Sequence, residues 1–182
     1  MFRRTLPFFV VALGLAACEA PAPASVPMGA DGRPMQVVYR IGANDAPRVR
    51  ERMQDGLNTM RAQNGLPPLQ ANAELASAAA THAQDMSFQS RPWHWGSDGS
   101  SPMQRAQRSG YRGSVIGELI SETFESEFET VNAWMLEPET RQVILDRRAQ
   151  DVGVGWHQDD NGKLWWTVVL GEGNQAMQMA GF

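Results

Sequence analysis

An α+β fold with a small antiparallel sheet is what the order of patterns in this 182-residue chain predicts. Apolar residues recur at helical spacing through its first half, and a β-rich hairpin stands near its end. Helices followed by a hairpin indicate segregated layers, not the strand–helix alternation of a wound βαβ sheet.

Each element has a local reason. Over residues 45–64, Val49, Met53, Leu57 and Met60 recur at steps of four, four and three, and Gly65 with Pro67 supplies the stop. A second helix is expected from an N-cap at Asn72 to about Ser87, with Leu75, Ala79, His82 and Met86 on one face. Ser101-Pro102 opens a third, ending near Gly110. The serine hydroxyl accepts an orphan N–H, and proline at the first position has none to waste. Val115, Ile116, Leu119 and Ile120 mark a strand over 113–121. Ser126 with Glu129 three residues on fits a capping box, opening a helix through Phe128, Val131 and Met135. Glu137-Pro138 begins one more short helix, to about Leu145. Residues 151–157 and 163–170 form the hairpin, separated by Asp159-Asp160-Asn161-Gly162.

The ends of the chain are not part of this domain. Arg3 and Arg4, an apolar run from Leu6 to Leu15 and the small pair Ala16-Ala17 make residues 1–17 a signal peptide, too short for an ordinary spanning helix. Leu15-Ala16-Ala17-Cys18 resembles the lipobox of a bacterial lipoprotein, in which Cys18 becomes a lipidated N-terminus. Cys18 is the only cysteine, so disulfides and cysteine-ligated zinc are excluded in the mature chain. Each buried lipid methylene contributes about 0.8 kcal/mol, and more than one acyl chain makes anchoring stable. Pro21, Pro23, Pro27 and Pro34 give residues 18–36 the composition of a semi-extended Pro/Ala-rich tether. The domain then occupies 37–171, and residues 172–182 form a tail without clear pattern. Loss of Arg3 and Arg4 with the signal takes the formal net charge from −4 to −6. Such a field does not draw nucleic acid. The expected location is the bacterial cell envelope, lipid-anchored and facing the periplasm. Glu19, where an aspartate would favour the inner membrane, points to the outer one.

Residues 94–102, His-Trp-Gly-Ser-Asp-Gly-Ser-Ser-Pro, constrain function more than any other stretch. A tight turn at Asp98-Gly99 and the Ser101 helix start hold His94 on a rigid loop, where sites tend to be built. Trp93 and Trp95 flank it as ordinary packing or as an apolar or sugar-stacking rim.

The ordered motifs resemble the CAP superfamily, also called the SCP domain, and its bacterial branch. They run from Asn58 with Arg61 and Gly65-Leu66-Pro67-Pro68-Leu69 through Ala78-Ala79, His82-Ala83 and Asp85-Met86. The His94 loop, Arg105, Gly110-Tyr111, Gly117-Glu118 and Glu129 ahead of Trp134-Met135 follow. Val152-Gly153-Val154-Gly155 and Trp165-Trp166-Thr167 complete the set. The resemblance implies a three-layer α-β-α sandwich around an antiparallel sheet. It also implies a cleft of two histidines and two acidic residues, which in some members binds a divalent metal. By motif these positions fall on His94, Glu118 and Glu129, with Trp165 where the second histidine would stand. Leu119 stands where asparagine usually follows the glutamate. Glu137-Pro138-Glu139-Thr140-Arg141 lacks the histidine of a bacterial Ser-Pro-Gly-His-Arg motif.

The chain is therefore expected to be a CAP-domain lipoprotein binding a small, amphipathic or cell-wall ligand in a cleft of His94, Glu118, Glu129 and Trp165. One imidazole and two carboxylates can also ligate zinc or calcium, with a position open for water, although the missing histidine removes the most zinc-selecting ligand. The seven glutamates from Glu118 to Glu139 read as a solvated face or a weak calcium surface. The competing expectation is a hydrolase of peptides, lipids or cell-wall material. There Glu118 or Glu129 is general base and His94 orients or protonates. No Gly-x-Ser-x-Gly elbow accompanies Ser97, Ser100, Ser114 or Ser121. His82 reads as a hydrogen-bonded core histidine and His157 as solvated. Trp134 and Trp156 read as packing.

Overall fold

Val152-Gly153-Val154-Gly155 sorts the core into two faces, because successive strand residues point to opposite sides of a sheet. The structure, a computed structural model, describes residues 38–123 and 125–173. The expected signal peptide, the expected lipidation at Cys18, the expected tether and the tail beyond residue 173 lie outside the described residues. The elements are α1 (Ala46–Gln63), β1 (Gln70–Ala71), α2 (Ala73–Gln89), α3 (Pro102–Arg108), β2 (Val115–Thr123), α4 (Glu127–Leu136), α5 (Pro138–Ile144), β3 (Asp151–Gln158) and β4 (Leu164–Gly171). Every helix expected from the sequence is present, with ends shifted by one or two residues.

The caps do the local work. Asn72 accepts the Leu75 N–H at 2.9 Å, Ser101 forms a capping box with Gln104, and Ser126 forms one with Glu129. Gly65 adopts φ +68 just beyond α1, a conformation that stops the helix cheaply only as glycine.

The four strands lie in the order β1-β3-β4-β2. Three are antiparallel, as expected. The fourth, β1, pairs parallel to β3 through Gln70 and Ala71 and makes the sheet mixed. At two residues it is too short to register as periodicity. On one face Val152, Val154, Leu164, Trp166, Val168 and Leu170 pack under α1, α4 and α5. On the other, α2 lies close over β3: a side chain at Gly153 would meet the Leu75 backbone, and one at Gly155 would meet Ala80 N at 2.1 Å. These two glycines let backbone approach backbone. Trp165, Thr167 and Val169 share that second face.

Strand β2 contains a one-residue irregularity. Val115 pairs with Gly171, yet Gly117 pairs with Leu170 and Glu118 with Val169. A bulge reverses the in–out parity of everything beyond it. Val115 packs with the α2 face, and so do Glu118 and Ile120, whereas Leu119 enters the opposite core. The bulge at Ile116 is what delivers the Glu118 carboxylate to the α2 side.

Candidate functional site

Three elements converge on Glu118. Its side chain is 1% exposed, and both carboxylate oxygens are engaged. Arg105 Nη2, from α3, donates to Oε2 at 2.7 Å, and His94 Nδ1, from the loop after α2, bonds Oε1 at 2.9 Å. Facing a carboxylate, Nδ1 is the donor, which leaves Nε2 of a neutral ring as a lone pair. The His94 ring is 52% exposed, so that edge meets solvent.

The loop carrying His94 is held from both sides. Asp85 of α2 accepts the Ser97 N–H at 2.7 Å, and Arg105 Nη1 donates to the carbonyls of His94 and Ser100 at 3.1 and 2.8 Å. Gly96 and Ser100 pair backbone to backbone, and Gly99 turns at φ +76. The Asp98 side chain accepts the Ser100 N–H, closing the expected Asp-Gly turn. Hydrogen bonds from Ser100 and the ion pair with Arg108 hold the Asp98 carboxyl well below the usual range.

His82 is the core histidine the sequence indicated, and it is also part of this group. It is fully buried on α2, with Nε2 2.9 Å from the Trp93 carbonyl and 3.6 Å from Glu118 Oε1. Burial pushes its pKa below the ordinary histidine value; the Glu118 charge opposes this and Arg105 adds to it. Facing a carbonyl, Nε2 is the donor, and in the neutral ring that this burial favours Nδ1 carries the lone pair. His82 as a site member escaped the sequence reading, because a histidine on an apolar helix stripe looks the same whether or not it faces a carboxylate. Arg105 had a signal: a charged residue beside Ala106 on the inward face of a short helix.

The structure does not bring Glu129 to His94. Its Oε2 accepts the Ser126 N–H at 3.0 Å and the Ser126 hydroxyl at 2.8 Å, and those bonds lower its pKa. Its helix, α4, packs on the opposite face of the sheet. Trp165 does share the face of Glu118, but it is 1% exposed beneath Ala83 and Met86, and its indole N–H donates to Asp159 at 2.9 Å. It forms part of the packed layer. His157 is half-buried, 3.5 Å from Asp159. Trp134 and Trp156 pack as expected, Trp156 against Trp166.

The donors present do not fit a divalent cation. Among the described residues no three His, Cys, Asp or Glu side chains are placed to hold one. Both Glu118 oxygens are committed, one of them to a guanidinium, and Glu129 is committed to its cap. Of the glutamate run, Glu118 and Glu127 are buried, Glu127 against Arg52 and Tyr39, and Glu122 pairs with Lys163, whereas Glu125, Glu137 and Glu139 are exposed. A larger hollow of about 560 Å³ lies between α1 and the start of α4, lined by Tyr39, Gly56, Met60 and Phe128 among others. None of the Glu118 group borders it.

Residues 54–170 match the family model described as CAP, the cysteine-rich secretory protein family. An outer surface protein of Borrelia burgdorferi aligns with TM-score 0.64 and 18% identity, over 76% of this chain and all of that one. An extracellular SCP-domain protein of Bacillus anthracis aligns at 0.60 and 19%, over 74% of this chain and 47% of that one. A cysteine-rich secretory protein of Staphylococcus aureus aligns at 0.58 and 16%, over 79% and 44%. This chain thus spans under half the length of the latter two, and at these identities the likeness is one of fold. No curated protein gives a significant match.

Proposed function

The chain belongs to the CAP family of cysteine-rich secretory proteins, and from that premise we propose that it binds a small, amphipathic or cell-wall ligand at the His94 edge of the Glu118 cluster. The observation that carries this reading is the His94–Glu118 hydrogen bond. A buried, Arg105-held carboxylate fixes the orientation of a half-exposed imidazole. A surface histidine needs no such support to be soluble. One fixed in orientation presents a hydrogen-bonding edge at a set place, which is what ligand recognition requires.

The hydrolase alternative changes form under this geometry. Glu118, sealed and doubly bonded, does not reach a substrate proton, and Glu129 is spent on its cap. A general base must lie within about 2.6–3.2 Å of the proton it takes, or one water away. His94 Nε2 is the atom of the cluster open to that task, with Glu118 orienting it.

Anchoring by a lipid at Cys18, on the periplasmic face of the outer membrane, completes the proposal. No described helix is long and apolar enough to cross a membrane. Fractionation of a Cys18→Ala variant tests the anchor: release into the soluble fraction is expected, and continued pelleting with membranes refutes it. The binding reading is tested by thermal shift of wild type and His94→Ala against phospholipid vesicles and soluble cell-wall fragments. A ligand at 100 times its Kd stabilises by about 2.7 kcal/mol. A shift in wild type that is lost in the variant is expected, and the same shift in both overturns the role of His94.

A further inference from the structure

The described chain enters the domain at the hairpin end of the sheet. The Gln158 amide donates to the Tyr39 carbonyl at 2.8 Å, and the Arg40 guanidinium donates to the Asp160 carbonyl at 3.0 Å. Two helices bring a tip to the same end, one from each face of the sheet. At the end of α2 the Ser87 hydroxyl donates to Asp159 at 2.6 Å, and at the start of α4 Glu127 accepts from the Tyr39 hydroxyl at 3.1 Å. The next residue in each case is a phenylalanine left in solvent: Phe88 is 85% exposed and Phe128 65%. Exposed apolar residues scattered singly are ordinary. Two phenyl rings bracketing the point of chain entry are not scattered, and call for something that covers both.

The chain beyond Val38 says what does. Residues 19–37 separate Cys18 from Val38, a reach of about 25 Å as a coil and about 60 Å fully extended. A lipid at Cys18 therefore holds this end near a bilayer at an effective concentration on the order of millimolar. Contacts too weak to retain a free protein suffice there. Charge fixes the kind of surface. Arg40, Arg48 in the first turn of α1 and Arg50 over the Trp156 ring stand at this end with Asp45, Asp159 and Asp160, and Lys163 is paired with Glu122. A face of mixed sign gains little from a strongly anionic surface. Phenyl rings and arginine stems gain from apolar depth, with the charged heads kept in the headgroup layer.

We infer that the hairpin end is a docking face for a zwitterionic phospholipid surface, with Phe88 and Phe128 inserted at the headgroup boundary on either side of the chain entry. The inference rests on the anchoring reading at Cys18. With the strands upright, Glu118 stands opposite Val169, five residues along β4 from Leu164 and about 16 Å farther from the lipid. Docking in this way holds the His94 edge clear of the bilayer.

The test uses the full lipid-anchored chain carrying one nitroxide, at Phe88→Cys, Phe128→Cys or Leu136→Cys, with Cys18 blocked by its lipid. Leu136 is 79% exposed but eight residues, about 12 Å, farther along α4, so it controls for exposure alone. Each variant is reconstituted into phosphatidylcholine–phosphatidylethanolamine vesicles. Flotation reads the anchor, and accessibility to a water-soluble nickel chelate, measured by electron paramagnetic resonance, reads label depth. The expected result is a several-fold loss of nickel accessibility at 88 and 128 relative to 136. Equal accessibility at all three positions in a chain that floats overturns the docking and leaves the anchor standing. Shielding at 128 and 136 but not at 88 overturns it as well, since it lays the flank of α4 on the lipid. Spin–spin broadening at 88 or 128 identifies a second copy as the occupant and likewise overturns it. A chain that does not float refutes the Cys18 anchor, and the docking with it.

Discussion

Replacing Glu118 by glutamine should cost far more stability than replacing His94 by alanine, although the two side chains share one hydrogen bond. The carboxylate presents acceptors to both Arg105 Nη2 and His94 Nδ1. An amide offers one acceptor and one N–H group, so at least one of those donors would face another donor. Arg105, 7% exposed, would also lose its counter-charge. Breaking a buried ion pair from one side costs about 3–5 kcal/mol. His94 is half exposed, and an interaction so open to solvent is worth about 1 kcal/mol at most. At roughly 3 °C per kcal/mol for a domain of this size, the melting points should fall by about 9–15 °C for Glu118→Gln and by under about 4 °C for His94→Ala. Urea unfolding followed by tryptophan fluorescence reads both, provided the m-values stay equal. The double variant Arg105→Met/Glu118→Leu should recover part of the loss, because it removes both charges together. Equal midpoints for the two single variants, or a Glu118→Gln cost near 1 kcal/mol, would refute the claim that this cluster is an interdependent buried unit.

Arg61, fully buried, donates to the carbonyls of Pro67, Ile144, Asp146 and Ala149 at 2.8–3.0 Å. Arg61→Met should cost roughly 3–5 kcal/mol and raise amide exchange across 144–149, and unchanged exchange there would contradict its bridging role. Burial holds the His82 pKa below its unfolded value of about 6.5, so the unfolded chain binds the proton more readily. The stability contribution is complete above pH 6.5 and is lost as pH falls toward the depressed folded value. Urea midpoints between pH 8 and 5 should therefore decline more steeply in wild type than in His82→Gln, and parallel slopes would show that His82 does not titrate this way. At Gly155 an added Cβ would sit 2.1 Å from Ala80 N, so Gly155→Ala should cost about 3 kcal/mol or more by lifting α2 from the sheet. Gly99→Ala meets open space and should lose only the 1–2 kcal/mol of its positive φ. Thermal melts of the pair decide it, and similar losses would show that the close packing of α2 on β3 is not what Gly155 serves.

What the sequence disclosed was local chemistry. Asn72, Ser101 and Ser126 announce helix starts because a cap is satisfied within three residues of itself, and Asp159 to Gly162 turns the hairpin for the same reason. Strand β1 was not legible, since its pairing depends on backbone contacts with Gln150 and Val152 some eighty residues away. The site divides along the same line. His94 and Glu118 were found through the family resemblance, and the structure joins them. Glu129 carried two readings from one residue, and the short-range one, a bond to Ser126 three positions back, describes where its oxygens are. The bulge at Ile116 is the sharpest case. Hydrophobic alternation through Val115 and Ile120 looks the same with or without one extra residue. Yet that residue decides which face of the sheet Glu118 serves, and hence whether Arg105, His82 and His94 have a carboxylate to gather around. A composition change at Ile116 would leave the strand assignment intact; deleting it would remove the bulge and keep Glu118 opposite Val169, whereas pairing it regularly would set Glu118 opposite Val168, in the apolar core beneath α1 and α4, and dissolve the site while keeping every motif that marks the family.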